Sequence, residues 1–138
     1  MNRARPDQNM IENINNAGIV DEIRGQFTSY NAALDAGYAD VLNAFFWDSP
    51  STVRFGPTES LFGKDSIAGF RLKQWKASTQ SRELLSVSIT ALGDDLGTTN
   101  AVFRSSEGRK TRQSQTWARF SEGWRIVAAH VSAAPAEL

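Results

Sequence analysis

RELLSVSITALGDDLGTTNAVFRSSEGRKTRQSQTWARFSEGWRIVAAHVS, running from Arg82 to Ser132, is the stretch that decides the fold. Three short separators interrupt it: Gly93-Asp94-Asp95, Glu107-Gly108-Arg109 and Ser121-Glu122-Gly123. Each carries a glycine among charged or polar residues, the chemistry of a tight hairpin loop. The runs between them, 82–92, 96–106, 110–120 and 123–132, read as four long strands. Strands joined by such loops are antiparallel neighbours, so the four form a meander. Strands this long do not stay flat, and strong twist and bending are expected.

The chain upstream has a different period. Val20, Ile23, Phe27, Tyr30 and Leu34 recur at steps of three and four and mark one face of an amphipathic helix. Gly37 fits its C-terminal stop. A second helix is predicted over Tyr38 to Trp47, ended by Asp48-Ser49-Pro50, because the residue before proline avoids the helical region. Two short extended pieces follow, Thr52 to Phe55 and Glu59 to Phe62, around the turn Gly56-Pro57-Thr58. Asp65 or Ser66 then caps a third helix containing Ile67, Phe70, Arg71, Gln74 and Trp75. Strands gathered after helices argue for an α+β fold. The expected architecture is a cone-shaped, strongly bent antiparallel β-sheet packed on three N-terminal helices, with a pocket at its open end. One domain spans 1–138, with residues 1–16 loosely attached.

Composition narrows the function classes. The chain has 138 residues, enough for one core without covalent staples. Fifteen basic and fifteen acidic side chains cancel, which leaves no basic excess for displacing counterions from nucleic acid. Cysteine is absent, which removes disulfides, thiolate nucleophiles and cysteine-based metal sites. A single histidine, His130, excludes a two- or three-histidine metal site within one chain. No metal and no cofactor are expected. Residues 1–16 carry no apolar run, so neither a signal peptide nor a membrane span is read there, and the cytoplasm is the default location.

Several side chains could carry chemistry. Tyr30 lies in the apolar stripe of the first helix, where its phenol must find either a backbone partner or a ligand. Arg54 alternates to the face opposite Val53 and Phe55 and is either exposed or turned into the pocket. A buried guanidinium would need an anion, either a ligand carboxylate, which its planar fork matches, or the partner of a structural ion pair. Arg71 sits on the apolar face of the third helix and is a candidate second cation, with a snorkelling surface arginine as the plainer alternative. Trp47 and Phe70 are candidate pocket walls. His130 is placed by alternation with Trp124, Ile126, Ala128 and Ser132 and could serve acid–base chemistry or packing. Gln113, Gln115 and Trp117 share one face of their strand, with no signal for which face lines the pocket. Asp48 and Glu59 are the carboxylates nearest Arg54, and Asp48 reads as a turn former. No nucleophile elbow and no Ser-His-Asp arrangement is visible.

This order of elements, with the final hairpin from Thr111 to Ser132, resembles the nuclear transport factor two-like superfamily, also known as ketosteroid-isomerase-like or SnoaL-like. The segment FWDSPSTVRFGPTESLFG, Phe46 to Gly63, is similar to the AtzH-like branch, which includes the oxalurate-catabolism proteins named HpxZ. The resemblance implies that Tyr30 and Arg54 act at the pocket; Trp47, Phe70, Arg71 and His130 are expected substrate contacts from the residue pattern alone. It implies a hydrolase of ureide or cyanuric acid catabolism that takes 1,3-dicarboxyurea to urea-1-carboxylate. The alternative is a non-catalytic binder of a small carboxylate or ureide, since the superfamily includes binding members such as the hub domain of calcium/calmodulin-dependent kinase II. A third alternative is an isomerase, cyclase or dehydratase of an uncharged substrate. A homodimer through the outer sheet face is expected under each reading, because such a face is apolar enough to seek cover.

Overall fold

The computed structural model describes residues 11–73 and 81–135. Gln74 and Trp75 of the expected third helix lie outside the described residues. The elements are α1 (Ala17–Ala36), α2 (Ala39–Ala44), β1 (Val53–Phe55), β2 (Ser60–Phe62), α3 (Lys64–Lys73), β3 (Arg82–Leu92), β4 (Leu96–Ser105), β5 (Lys110–Phe120) and β6 (Gly123–Ala133). The α+β reading stands, and the four meander strands fall within a residue of their expected bounds.

The sheet is open and six-stranded, in the order β2-β1-β6-β5-β4-β3. It is mixed, where an all-antiparallel sheet was expected. The β1–β2 hairpin docks on the free edge of β6, and β1 runs parallel to it. The register Val53 to Ala128, Arg54 to Ala129 and Phe55 to His130 fixes which way Arg54 points.

Helix α1 begins at Asn16, whose Oδ1 accepts from the backbone N–H groups of Gly18 and Ile19. It ends at Gly37 in the left-handed region. Its stripe, Ile19, Ile23, Phe27, Tyr30 and Ala33, is buried against the sheet. The close approach is set by Gly97 on β4, where a Cβ would collide with Ile23 and stand 2.6 Å from the Thr90 carbonyl oxygen. Residues 11–16, expected to be loosely attached, are tied to β3. The Asn15 N–H donates to the Ala91 carbonyl, and the Ala91 N–H donates back to Asn15 Oδ1.

Helix α2 stops at Ala44, three residues before the expected Trp47. Backbone pairing with β6 takes over there. Ile126 N–H donates to the Phe45 carbonyl and Trp47 N–H donates to the Ile126 carbonyl. The next turn is held by Thr52 Oγ1 donating to the Trp47 carbonyl at 2.7 Å and by Lys64 Nζ donating to the Phe46 carbonyl at 3.1 Å. These bonds aim β1 at the edge of β6.

A bulge in β6 changes the expected faces. Thr116 pairs with Ala128 but Trp117 pairs with Ile126, so Val127 is the extra residue. Trp124 and Ile126 point into the core, and beyond the bulge it is Ala129 that points inward. His130 therefore lies on the outer face and is exposed, not on the face of Trp124 and Ile126. It lines a shallow outer groove with Val53, Phe55, Thr98, Asn100, Ser114 and Thr116.

Candidate functional site

Three elements bring Tyr30, Arg54 and Arg71 together. Tyr30 comes from the fourth turn of α1 and is only 3% exposed. Its ring is held edge-on by Phe45 and Phe46, at centroid distances of 5.5 and 6.1 Å. Arg71, from α3, is 2% exposed, and its Nη2 donates to the Tyr30 hydroxyl oxygen at 2.8 Å. Arginine has no acceptor, so the phenol oxygen is the acceptor in this bond. The single phenol hydrogen is left to point elsewhere.

Arg54 is 8% exposed and faces inward from β1. Its Nη1 donates to Glu59 Oε1 at 2.7 Å, and its guanidinium carbon lies 5.8 Å from the centre of the Phe70 ring. Glu59 reaches Arg54 because the hairpin closes between them, with the Gly56 N–H donating to the Glu59 carbonyl. Gly56 leaves the room for this pair, since a Cβ there would run into the Glu59 carboxylate and lie 3.0 Å from Arg54 Nη1.

The electrostatics are those of two like charges held in one buried site. Burial pushes the Arg71 guanidinium below its ordinary pKa; the Arg54 charge adds to this, while Tyr30 and Glu59 oppose it. Burial alone would raise the Glu59 carboxyl, but the hydrogen bonds from Arg54 and Thr58, with the Arg54 charge, outweigh it and hold it low. A depressed carboxyl pKa contributes stability that is fully present above the ordinary value near 4.5 and is lost as pH falls through the lower folded value. Acid melts of the wild type and Glu59→Gln check this. The wild-type melting temperature is expected to fall more steeply below about pH 5 than that of the variant. Parallel curves would contradict the pairing.

The structure separates the other expected contacts. Phe70 joins the Arg54 guanidinium. Trp47 does not join the cluster; its ring stacks on Phe120 at 5.2 Å and 14°. His130 also stands apart, edge-on to Phe55 at 5.8 Å on the outer face.

The inner face of the sheet also carries polar side chains among its apolar core. Gln113, Gln115 and Thr99 are buried there. Gln113 spends both ends of its amide on Asn31, at 3.2 and 2.9 Å, and Arg82 Nη2 donates to the same Asn31 oxygen at 3.0 Å. Of the two carboxylates nearest Arg54 in sequence, Glu59 is the one paired with it, and two opposite charges flanking a four-residue hairpin turn are the signal for that choice. Among the described residues no cluster of three or more His, Asp or Glu could hold a metal ion, and no helix is long and apolar enough to cross a membrane.

The sequence pattern of the AtzH-like family matches residues 12–137. The chain belongs to the AtzH-like family. Two solved structures are similar over most of their length. One, a protein of unknown function from Pectobacterium atrosepticum, is 36% identical, covers 95% of this chain and 98% of its own, and has a TM-score of 0.83. Another, a cystatin-like fold protein from Burkholderia xenovorans, is 37% identical over 89% of this chain and 96% of its own, at a TM-score of 0.82. A nuclear-transport-factor-two-like protein of unknown function from Pseudomonas putida shares the fold at 18% identity and a TM-score of 0.74, over 86% of this chain and 89% of its own. No protein of curated function matches the chain.

Proposed function

We propose that this AtzH-like protein removes an N-carboxylate from a small carboxylated urea, taking 1,3-dicarboxyurea to urea-1-carboxylate. The observation that carries the reading is the cluster itself: the buried Arg71 guanidinium on the Tyr30 hydroxyl, within electrostatic reach of the buried Arg54. Two buried guanidinium groups suit a substrate with negative charge at its ends. They argue against an uncharged hydrophobic substrate, and so against the isomerase, cyclase or dehydratase reading.

The roles follow from donor and acceptor capacity. Glu59 occupies one edge of the Arg54 guanidinium and fixes its plane, leaving other N–H groups for the carboxylate that the product retains. At the other end the N–C bond to the leaving carboxylate breaks and its electron pair goes to nitrogen. Tyr30 gives its hydroxyl proton to that nitrogen. The Arg71 guanidinium, already on the phenol oxygen, takes up the charge left there. The carboxylate carbon departs as carbon dioxide, which water converts to bicarbonate while returning a proton to Tyr30. Dianion and water give one monoanionic ureide and one bicarbonate, so atoms and charge balance.

Acetonedicarboxylate has the same heavy-atom skeleton, with methylene in place of each N–H, and carries no N-carboxylate to lose. Calorimetry is expected to show it bound by the wild type and weakened in Arg54→Ala by at least ~2 kcal/mol, roughly thirtyfold. Equal binding by both would remove the anion-site reading. Binding of 1,3-dicarboxyurea by the wild type without turnover would turn the protein into a carboxylate binder.

A further inference from the structure

We infer that Gln115 is a specificity-determining residue whose amide N–H groups read the central carbonyl oxygen of the substrate, on a floor made by the Ala129 methyl. The inference rests on the carboxylated-urea reading above and deepens it.

The first support is register. Thr99 on β4 pairs with Gln115 on β5, Gln115 pairs with Ala129 on β6, and Ala129 pairs with Arg54 on β1. All four are buried, so they form one cross-strand row on the inner face. The backbones of Arg54 and Gln115 are two strand spacings apart, about 10 Å. In the row between them stands Ala129, whose side chain is a single methyl group. A planar chain of one carboxylate, one nitrogen and one carbonyl is of a length to run along this row, with the carboxylate on Arg54 and the carbonyl toward Gln115.

The second support is the direction of the amide. Trp117 Nε1 donates to Thr99 Oγ1 at 3.2 Å, since an indole nitrogen can only donate. The Thr99 hydroxyl then has one hydrogen to place, and Gln115 Oε1 accepts it at 3.2 Å. Thr99 is completely buried, so reversing the Gln115 amide would strand that hydrogen without an acceptor among the described residues. The relay therefore turns the Gln115 oxygen toward Thr99 and presents its NH₂ as a donor. Gln115 is itself 3% exposed, which makes an acceptor for that NH₂ valuable. Gln113, two residues away on the same face, has already committed both ends of its amide to Asn31.

The third support is chemical. When the N–C bond breaks, the electron pair arriving on nitrogen is shared with the adjacent carbonyl oxygen. A fixed donor aimed at that oxygen stabilises the charge as it develops. Arg54 marks the retained carboxylate, Tyr30 the nitrogen, and Gln115 the carbonyl between them.

The test compares two diacids of the same length, acetonedicarboxylate with the central carbonyl and glutarate without it, by calorimetry on the full chain. The wild type is expected to prefer acetonedicarboxylate roughly tenfold, the worth of one neutral hydrogen bond. Gln115→Leu should lose the preference while binding glutarate as before. Thr99→Val, which removes the relay but keeps the glutamine, should reduce the preference, and Thr99→Ser should restore it. An undiminished preference in Gln115→Leu overturns the inference and leaves the anion site standing. So does a wild type that binds both diacids equally. A wild type that binds neither overturns the anion site and the inference with it. Should Gln115→Leu fail to fold, an unchanged preference in Thr99→Val decides against the inference.

Discussion

Tyr30→Phe is expected to bind acetonedicarboxylate as the wild type does and to lose turnover of 1,3-dicarboxyurea by about 10²–10⁴-fold, the usual contribution of a positioned acid. The ring stays between Phe45 and Phe46, so packing is conserved. What disappears is the oxygen that accepts from Arg71 and the hydrogen that it leaves free. Binding is unchanged because the ground-state carboxylate is held by Arg54. A fall in kcat with binding preserved is the signature of an interaction made mainly in the transition state. Normal turnover in the purified variant would remove Tyr30 from the mechanism.

The second large effect has opposite signs for stability and activity. Arg71→Met is expected to raise the melting temperature and to lower turnover by on the order of 10²-fold, as when one preorganised donor is lost. Burial penalises the Arg71 charge most and the Arg54 charge adds to this, against the opposing pull of Tyr30 and Glu59. An apolar side chain of similar length removes that penalty. Replacing a buried ion pair or triad by apolar groups is often neutral or stabilising by about 1–4 kcal/mol, and here the Tyr30 phenol left behind is neutral and Glu59 keeps Arg54. A stabilised and inactive Arg71→Met would show that the fold tolerates a strained cation for the sake of the site. A variant destabilised and fully active would assign Arg71 a structural role. Thermal melts beside single-turnover assays separate the two.

Much of the fold was legible because its signals are local. The loops at Gly93, Gly108 and Gly123 define the meander, and the apolar stripe through Ile23, Phe27 and Tyr30 defines α1. What was not legible depends on distant pairing. The β1 segment carries no mark saying that it will run parallel to β6, since that register is made across more than seventy residues of chain. The extra residue at Val127 reverses alternation in the last strand, so simple parity put His130 on the wrong face.

The site was partly legible for the same reason. Tyr30 and Arg54 stand out because a phenol in an apolar stripe and an arginine between apolar neighbours both break a pattern. Arg71 breaks a pattern too, but a long side chain on an amphipathic helix is equally at home on the surface. Only the packing of α3 against α2 and the β1–β2 hairpin brings it onto Tyr30. The direction of the Gln115 amide needs Trp117, Thr99 and Gln115 on two adjacent strands, which the sequence does not pair by itself.

The central claim is that Arg54 and Tyr30 face one small anionic substrate, and a crystal structure of the wild type with acetonedicarboxylate tests it most directly. The account predicts one carboxylate within hydrogen-bond distance of the Arg54 guanidinium, with the Tyr30 hydroxyl against the far half of the ligand. Ligand bound instead on the outer face beside His130, with Arg54 held by Glu59 alone, would contradict it.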